Sequence, residues 1–335
     1  MKRGSILVLA LWSLSLLVVF SVYMGLLIRQ KIALVERLSR SENLHYVAFA
    51  GVNRAIIELN KGNVADVDSF KESWSNNEGA FRDVWLGNVK FSVSYGYQDY
   101  FSRTSKTMYG ITDEERKINI NRANLATLKN LFFNLGLDAQ DAQNLAACII
   151  DWRDPDSMLS IPLGSAEGAY YENLPQPYQA KNEDFTHLNE LLLVKGVSRG
   201  VFDKIKDFIT IYGDGKVNIN TATPEVLSSL GMDKSLVAKI IAFRYGADEL
   251  LGTRDDGVFQ ETGTLLEQLS QTNALSDMEA SQLANLASSG SLVTVSANFM
   301  IKSTATLGNT IEGAPGKEIV CVVKHTGEIL SYAEF

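Results

Sequence analysis

The sequence has 335 residues, enough for two domains behind an anchor, and its composition is that of an ordinary globular protein: 46% hydrophobic and 21% charged. A formal net charge of −8 excludes a surface built mainly to neutralise phosphates. Two cysteines, Cys148 and Cys321, each inside an apolar run, exclude a disulfide scaffold and a zinc site and read as buried thiols.

Met1-Lys2-Arg3-Gly4 leads into an uncharged run over residues 5–28. As a helix that run rises about 36 Å, enough to cross a hydrocarbon core of about 30 Å. A cleaved secretory signal has a shorter apolar core and a small-residue exit. This run ends in Leu26-Leu27-Ile28-Arg29-Gln30-Lys31, so a retained anchor is expected. Charge alone does not orient it, because Lys2 and Arg3 precede the run while Arg29, Lys31 and Arg37 follow it. Further on, Ile32, Val35, Leu38, Leu44, Val47, Ala48, Val52, Ala55 and Leu59 recur at steps of mostly three and four with no proline among them. A helix from residue 5 to about 59 would extend about 80 Å, either as one continuous spine or as a membrane helix followed by a separate core helix, with Gly62 and Asn63 as the stop.

Strand-like runs follow at 84–86 and 89–95, then vanish for well over a hundred residues. They return at 292–301, 319–323 and 328–332, with His325-Thr326-Gly327 as a hairpin turn. A helix plus one hairpin is a marginal domain. Early and late strands are therefore expected in one antiparallel sheet packed on the N-terminal helix, and the fold class is α+β with a large helical insertion between strands.

The insertion carries a repeat. Lys117-Ile118-Asn119-Ile120-Asn121-Arg122-Ala123-Asn124 matches Lys216-Val217-Asn218-Ile219-Asn220-Thr221-Ala222-Thr223. Each copy continues to a Leu-Gly-hydrophobic-Asp turn, at 135–138 and 230–233, and to a helix ending in Trp152-Arg153 or Phe243-Arg244. A related unit contains Lys195-Gly196-Val197-Ser198. These units resemble helix-hairpin-helix modules, which often hold DNA phosphates on hairpin amides. Here Asp138, Ser198 and Asp233 stand where the second hairpin glycine would be, and residues 116–250 hold 14 basic against 17 acidic residues. A structural use of the motif is expected, with a membrane-anchored DNA-binding protein of the DNA-uptake type as the alternative.

No catalytic constellation stands out, and the chain reads as a non-enzyme. His45, His187 and His325 are scattered, and no Gly-x-Ser-x-Gly, Walker loop or His-Glu-x-x-His occurs. The best site candidate is Asp151, Asp154 and Asp156 with Glu167. Crowded carboxylates repel one another, Pro155 holds the chain in a turn, and a hard cation such as calcium accepts several oxygens in flexible geometry. The spacing is not that of an EF-hand, and solvated turn acids beside Arg153 are the ordinary alternative. Asp255 and Asp256 form a weaker second cluster.

Two basic residues, Gly4 and an unbroken apolar helix resemble the leader of type IV prepilins and type II secretion pseudopilins. The split sheet, the Asn-Ile-Asn repeats, Asp151-Trp152-Arg153-Asp154-Pro155-Asp156, the Gly-x-x-Glu-x-x-Tyr-Tyr stretch at 164–171 and Asn189-Glu190-Leu191 extend that likeness. Together they resemble the protein K family of type II secretion, a family of minor pseudopilins. The resemblance implies cleavage by prepilin peptidase between Gly4 and Ser5. It implies a single-pass inner-membrane anchor with a cytoplasmic N-terminus and a periplasmic body. It also implies a place at the pseudopilus tip, initiating or capping assembly for protein export. The implied partners are minor pseudopilins I and J, other pseudopilins and a secreted substrate or the secretin, with no nucleic acid. Most pilins carry a glutamate as the fifth mature residue, and here that position is Leu9. A tip subunit has no neighbour above it whose terminal amine such a carboxylate would meet, and an unpaired charge in hydrocarbon is costly. The expected organisation is a leader at 1–4, a membrane segment at 5–28, a pilin-like part at 29–115, a helical insertion with helix-hairpin-helix-like repeats at 116–250 and a second pilin-like part at 251–335.

Overall fold

The computed structural model describes residues 3–61, 67–308 and 316–335, with side chains from Ile6 onward. The expected helix stop at Gly62 and Asn63 lies outside the described residues, as does the side chain of Ser5 at the expected cleavage site.

Fifty-seven residues, Arg3–Leu59, form one unbroken α-helix, as a proline-free stretch rich in Leu, Val and Ala favours. Its two halves live in different surroundings. Leu7, Leu9, Trp12, Leu16 and Val19 are bare, whereas Leu44, Val47, Ala48, Val52, Ala55 and Leu59 are buried against a sheet. Among the described residues this is the one helix long and apolar enough to cross a membrane. So large an exposed apolar surface calls for a cover that the folded body does not supply.

The sheet runs in the order Val84–Leu86, Val89–Val93, Asn298–Leu307, Lys317–Lys324, Ile329–Glu334, antiparallel throughout. Val89–Val93 alternates buried and half-buried, which turns Val89, Phe91 and Val93 to the helix. Gly51 sits at the closest approach, where an added Cβ would strike Ser303 Oγ and the Phe91 ring. The expected hairpin is present: the Lys324 amide donates to the Glu328 carbonyl at 2.8 Å, and Gly327 takes a positive φ.

Three details differ from expectation. Tyr95 does not continue the strand before it but opens Tyr95–Gln98, which pairs with Ser105–Met108 as a separate hairpin. The run at 292–301 is not one strand. Leu292–Val293 pairs in parallel with Val217–Asn218, and only Asn298–Leu307 enters the large sheet. The corner between them is held by Asp68, which accepts the Ser296 amide at 2.7 Å, and by Asp113, which accepts the Ser296 hydroxyl at 2.8 Å. Finally, the helical body does not stop at residue 250. Phe259, Leu265, Leu269, Leu283 and Leu292 belong to the same apolar core as Ile120, Leu131, Phe132, Ile149 and Ile240. The second repeat needs them to close its core, so the insertion reaches Val293.

Helix and sheet enclose a second apolar core. Cys148 lies in the insertion's core and Cys321 in the sheet's, both as free buried thiols. The insertion is attached at the end of the sheet farthest from the bare helix. Val89 and Leu307 share a cleft with Val35, Ser39 and Asn43, while Gly327 abuts Ile56 near the helix end.

Candidate metal centre within a duplicated frame

The two Asn-Ile-Asn copies build the same hydrogen-bonded frame. Asn121 accepts the Phe185 amide at 2.8 Å and donates to the Phe185 carbonyl at 3.0 Å. Asn220 repeats the exchange with Phe259 at 2.9 and 3.0 Å. Arg153 donates to the carbonyls of Ile120 and Ala123, and Arg244 to those of Ile219 and Ala222. Each copy is closed by a parallel strand pair, Ile118–Asn119 with Ile209–Thr210 and Val217–Asn218 with Leu292–Val293.

In the first copy this frame fixes the end of helix Ala139–Arg153, where the acidic candidates begin. Because Arg153 is spent on carbonyls, it forms no ion pair with Asp151, Asp154 or Asp156. Asp151 is fully buried on the last helical turn, and its Oδ1 accepts the Ser160 amide at 2.9 Å, tying down the loop that follows. Asp154 caps the helix C-terminus, Asp156 accepts the Met158 amide at 2.7 Å, and Glu167 returns as the N-cap of Gly168–Glu172. Oxygens of Asp154, Asp156 and Glu167 lie within 4.8 Å of one another. Asp151 does not join that group and stands beside it.

Three oxygens here are buried without a hydrogen-bond partner: Asp151 Oδ2, Asp154 Oδ1 and Glu167 Oε1. Burial, then the Asp151 charge, pushes Glu167 up to about 7. Burial and the neighbouring aspartates likewise raise Asp154. Unpaired buried carboxylate oxygens are costly, and a divalent cation offers what every one of them lacks. The donor set, all oxygen with adaptable spacing, fits a hard ion of the calcium type.

The second cluster is built differently. Asp248, Asp255 and Asp256 also converge, but protein donors fill them. Asp255 takes the Ala247 amide and the Thr253 hydroxyl, and Asp256 takes the Gly252 amide and the same hydroxyl. Hydrogen bonding from Thr253 and Ala247 lowers Asp255, so its carboxylate is satisfied without an ion.

The first hairpin that could hold phosphate is occupied as well, whereas Asp233 in the second makes no side-chain bond to the start of its helix. Gly136 and Gly231 take the left-handed φ that the turn needs. The following Asp138, however, accepts the amides of Gln140 and Asp141, filling the donors a phosphate would use.

A third set of charged groups was missed from sequence. Asp68, Asp113, Glu114, Glu115, Arg116 and Lys117 are all buried where the insertion meets the sheet. As a linear charged run, 113–117 reads as a solvated face. The one sequence signal was its position directly before the first repeat.

A family model described as type II secretion system (T2SS), protein K, matches residues 108–214. Three curated relatives bear the name type II secretion system protein K. That of Aeromonas hydrophila is 36% identical over 109 residues, 31% of this chain and 33% of the relative. That of Pseudomonas aeruginosa is 24% identical over 223 residues, 64% of each chain. That of Pectobacterium carotovorum is 27% identical over 140 residues, 40% of this chain and 42% of the relative. The chain thus spans between a third and just under two thirds of these relatives' length. A chain in the crystal structure of the GspK-GspI-GspJ complex from the enterotoxigenic Escherichia coli type 2 secretion system shares the fold. Its TM-score is 0.62 at 16% identity, covering 92% of this chain and 98% of that one. Residues 108–214, the stretch that holds the acidic centre and the first repeat, are thus where the chain is similar to the type II secretion system protein K family.

Proposed function

We propose that the chain is a minor pseudopilin of a type II secretion system that sits at the pseudopilus tip, where it primes or caps assembly in support of protein export. The observation that carries this reading is the division of the Arg3–Leu59 helix into a bare apolar half and a half buried under the sheet, with the insertion at the far end. A bare apolar stretch is suited to a bilayer and to packing beside like helices. A broad body at the opposite end would obstruct a further subunit there. Leu9 leaves no carboxylate in the apolar half that needs a neighbour's amine. The role is structural and interactive rather than catalytic.

In this reading the body is periplasmic, the N-terminus is cytoplasmic before processing, and prepilin peptidase cuts between Gly4 and Ser5. Minor pseudopilins I and J are the direct partners, a proposal supported by the shared fold with a chain of the GspK-GspI-GspJ complex. Calcium held by Asp154, Asp156 and Glu167, with Asp151 beside them, would neutralise the acidic centre and tie the 157–167 loop to the helix end. The test is co-purification of the full-length chain, in detergent, with pseudopilins I and J of the same system. One complex of all three is expected, and separate elution of this chain would overturn the reading.

A further inference from the structure

A cavity of about 510 Å³ opens where the two cores meet. Its walls come from the Tyr95–Gln98 hairpin, the start of the insertion at Arg116, the first turn after Thr223, and Arg244 on helix Lys234–Tyr245. Tyr95, Tyr97, Tyr100, Phe208 and Met300 make much of it apolar.

Two guanidinium groups line this cavity, and neither is neutralised by an ion pair. Arg116 is 9% exposed; among the described residues its guanidinium has no hydrogen bond or salt bridge, and it rests 5.7 Å from the ring centres of Phe70 and Tyr97. Arg244 is 3% exposed, lies 5.5 Å from the same Phe70 ring, and donates through Nη1 to carbonyls while its Nε is buried without a partner. Asp113 and Asp256 act on them only through the field. Asp113 already accepts from Asn218, Thr221 and Ser296, and Asp256 from Gly252 and Thr253. The other cations on the wall are engaged elsewhere: Lys117 pairs with Glu114, Lys302 with Glu318, and exposed Arg103 stacks on Tyr100. The acids on the wall are Asp99, paired with Lys106, and Asp207 and Glu225 toward the rim.

A buried arginine normally has a carboxylate or several carbonyls around it, because desolvating its charge is expensive. Arg116 has aromatic faces only, and the planar fork of a guanidinium is matched best by a carboxylate. We propose that this cavity is a carboxylate-binding site in which Arg116 is the anchoring residue, Arg244 adds a second positive charge, and the tyrosines receive an apolar or aromatic stem. A free organic acid and an acidic side chain beside an aromatic one on a peptide share this chemistry.

The experiment is a titration of the full-length protein in detergent with 3-phenylpropionate and its uncharged amide. Alongside run a capped Phe-Glu-Phe peptide and its Gln counterpart. At least one acid is expected to bind, with its neutral twin weaker by about tenfold or more. Arg116→Gln should lose that preference, and Arg116→Lys should keep part of it by retaining charge without the fork. A thermal melt of each variant within a few degrees of the parent shows that the fold survives. Tighter binding of the peptide identifies a protein segment as occupant, and tighter binding of the small acid a metabolite. Equal binding of acid and amide, no binding of either acid, or unchanged affinity in Arg116→Gln would overturn the proposal.

Discussion

Asn220 and Phe259 exchange two hydrogen bonds, side-chain amide against backbone, across 39 residues of sequence. Asn220 is buried, and its backbone amide donates to Asn218 Oδ1 at 2.9 Å, so the side chains of both asparagines hold the turn. Asn220→Ala would leave the Phe259 amide and carbonyl buried without partners. A loss of about 2–4 kcal/mol in unfolding free energy is expected. Asn121→Ala removes the same exchange with Phe185 from a half-buried position, and about half that loss is expected. Denaturant melts of both variants check the order; equal losses would show that burial does not set the cost.

The Asn-Ile-Asn frame was legible because both copies keep the residues that bond locally: the asparagines, the arginine and the turn glycine. The acidic centre was legible because three of its members are near neighbours around one helix end. What failed depended on partners far away. A run such as Leu292-Val293-Thr294-Val295-Ser296 has uninterrupted strand character, and nothing within it marks a corner. The corner exists because Asp68, 228 residues earlier, captures the Ser296 amide that would otherwise serve a ladder. The boundary at 250 failed for a similar reason. Helices Leu265–Thr272 and Asp277–Ser288 match nothing in the repeat by sequence, yet they supply the apolar residues that close it.

Asp68 also makes stability depend on pH. Burial, ahead of the Asp113 and Glu72 charges, raises it to about 8 although Ser296 donates to it. Its folded pKa stands above the ordinary aspartate value of 3.8, so the folded state holds this proton more tightly than the unfolded one. The resulting stabilisation is complete below the unfolded value and is lost as pH rises toward 8. Between pH 5 and 8 the slope from this group is at most about 1.4 kcal/mol per unit. His325, with Nε2 3.8 Å from Asp68, is itself pushed below the ordinary histidine value by burial. Asp68→Asn should flatten the pH dependence of the melting temperature and raise it at pH 8. A slope identical to the parent's would remove Asp68 as its source.

Gly51 is a test of how the helix seats on the sheet. In a free helix, alanine for glycine gains about 1 kcal/mol. Here the new methyl would strike Ser303 Oγ and the Phe91 ring in the packed face. Gly51→Ala is therefore expected to destabilise by about 1–3 kcal/mol, and Gly51→Val by more. Unchanged or increased stability of the alanine variant would mean that helix and sheet separate easily at this point.

Calcium bound at the acidic centre, as proposed, would give effects of opposite sign in the same variant. Without an ion, Asp154 and Glu167 repel each other and neighbouring aspartates while burying unpartnered oxygens. Glu167→Gln and Asp154→Asn remove part of that repulsion, so each should melt higher than the parent in chelator. Each also deletes a ligand charge, so each should lose most of the rise that calcium gives the parent. At a hundred times its dissociation constant an ion adds about 2.7 kcal/mol, several degrees for a body of this size. Because Glu167 is pushed up to about 7, a calcium ion binding there would have to displace a proton below that pH. Its affinity should then fall by up to about tenfold per unit as pH drops from 7. Calorimetric titrations at pH 6 and 8 with thermal melts in calcium and in chelator test both signs. A parent whose melt ignores calcium, or variants that melt lower in chelator, would return these acids to the role of ordinary turn residues.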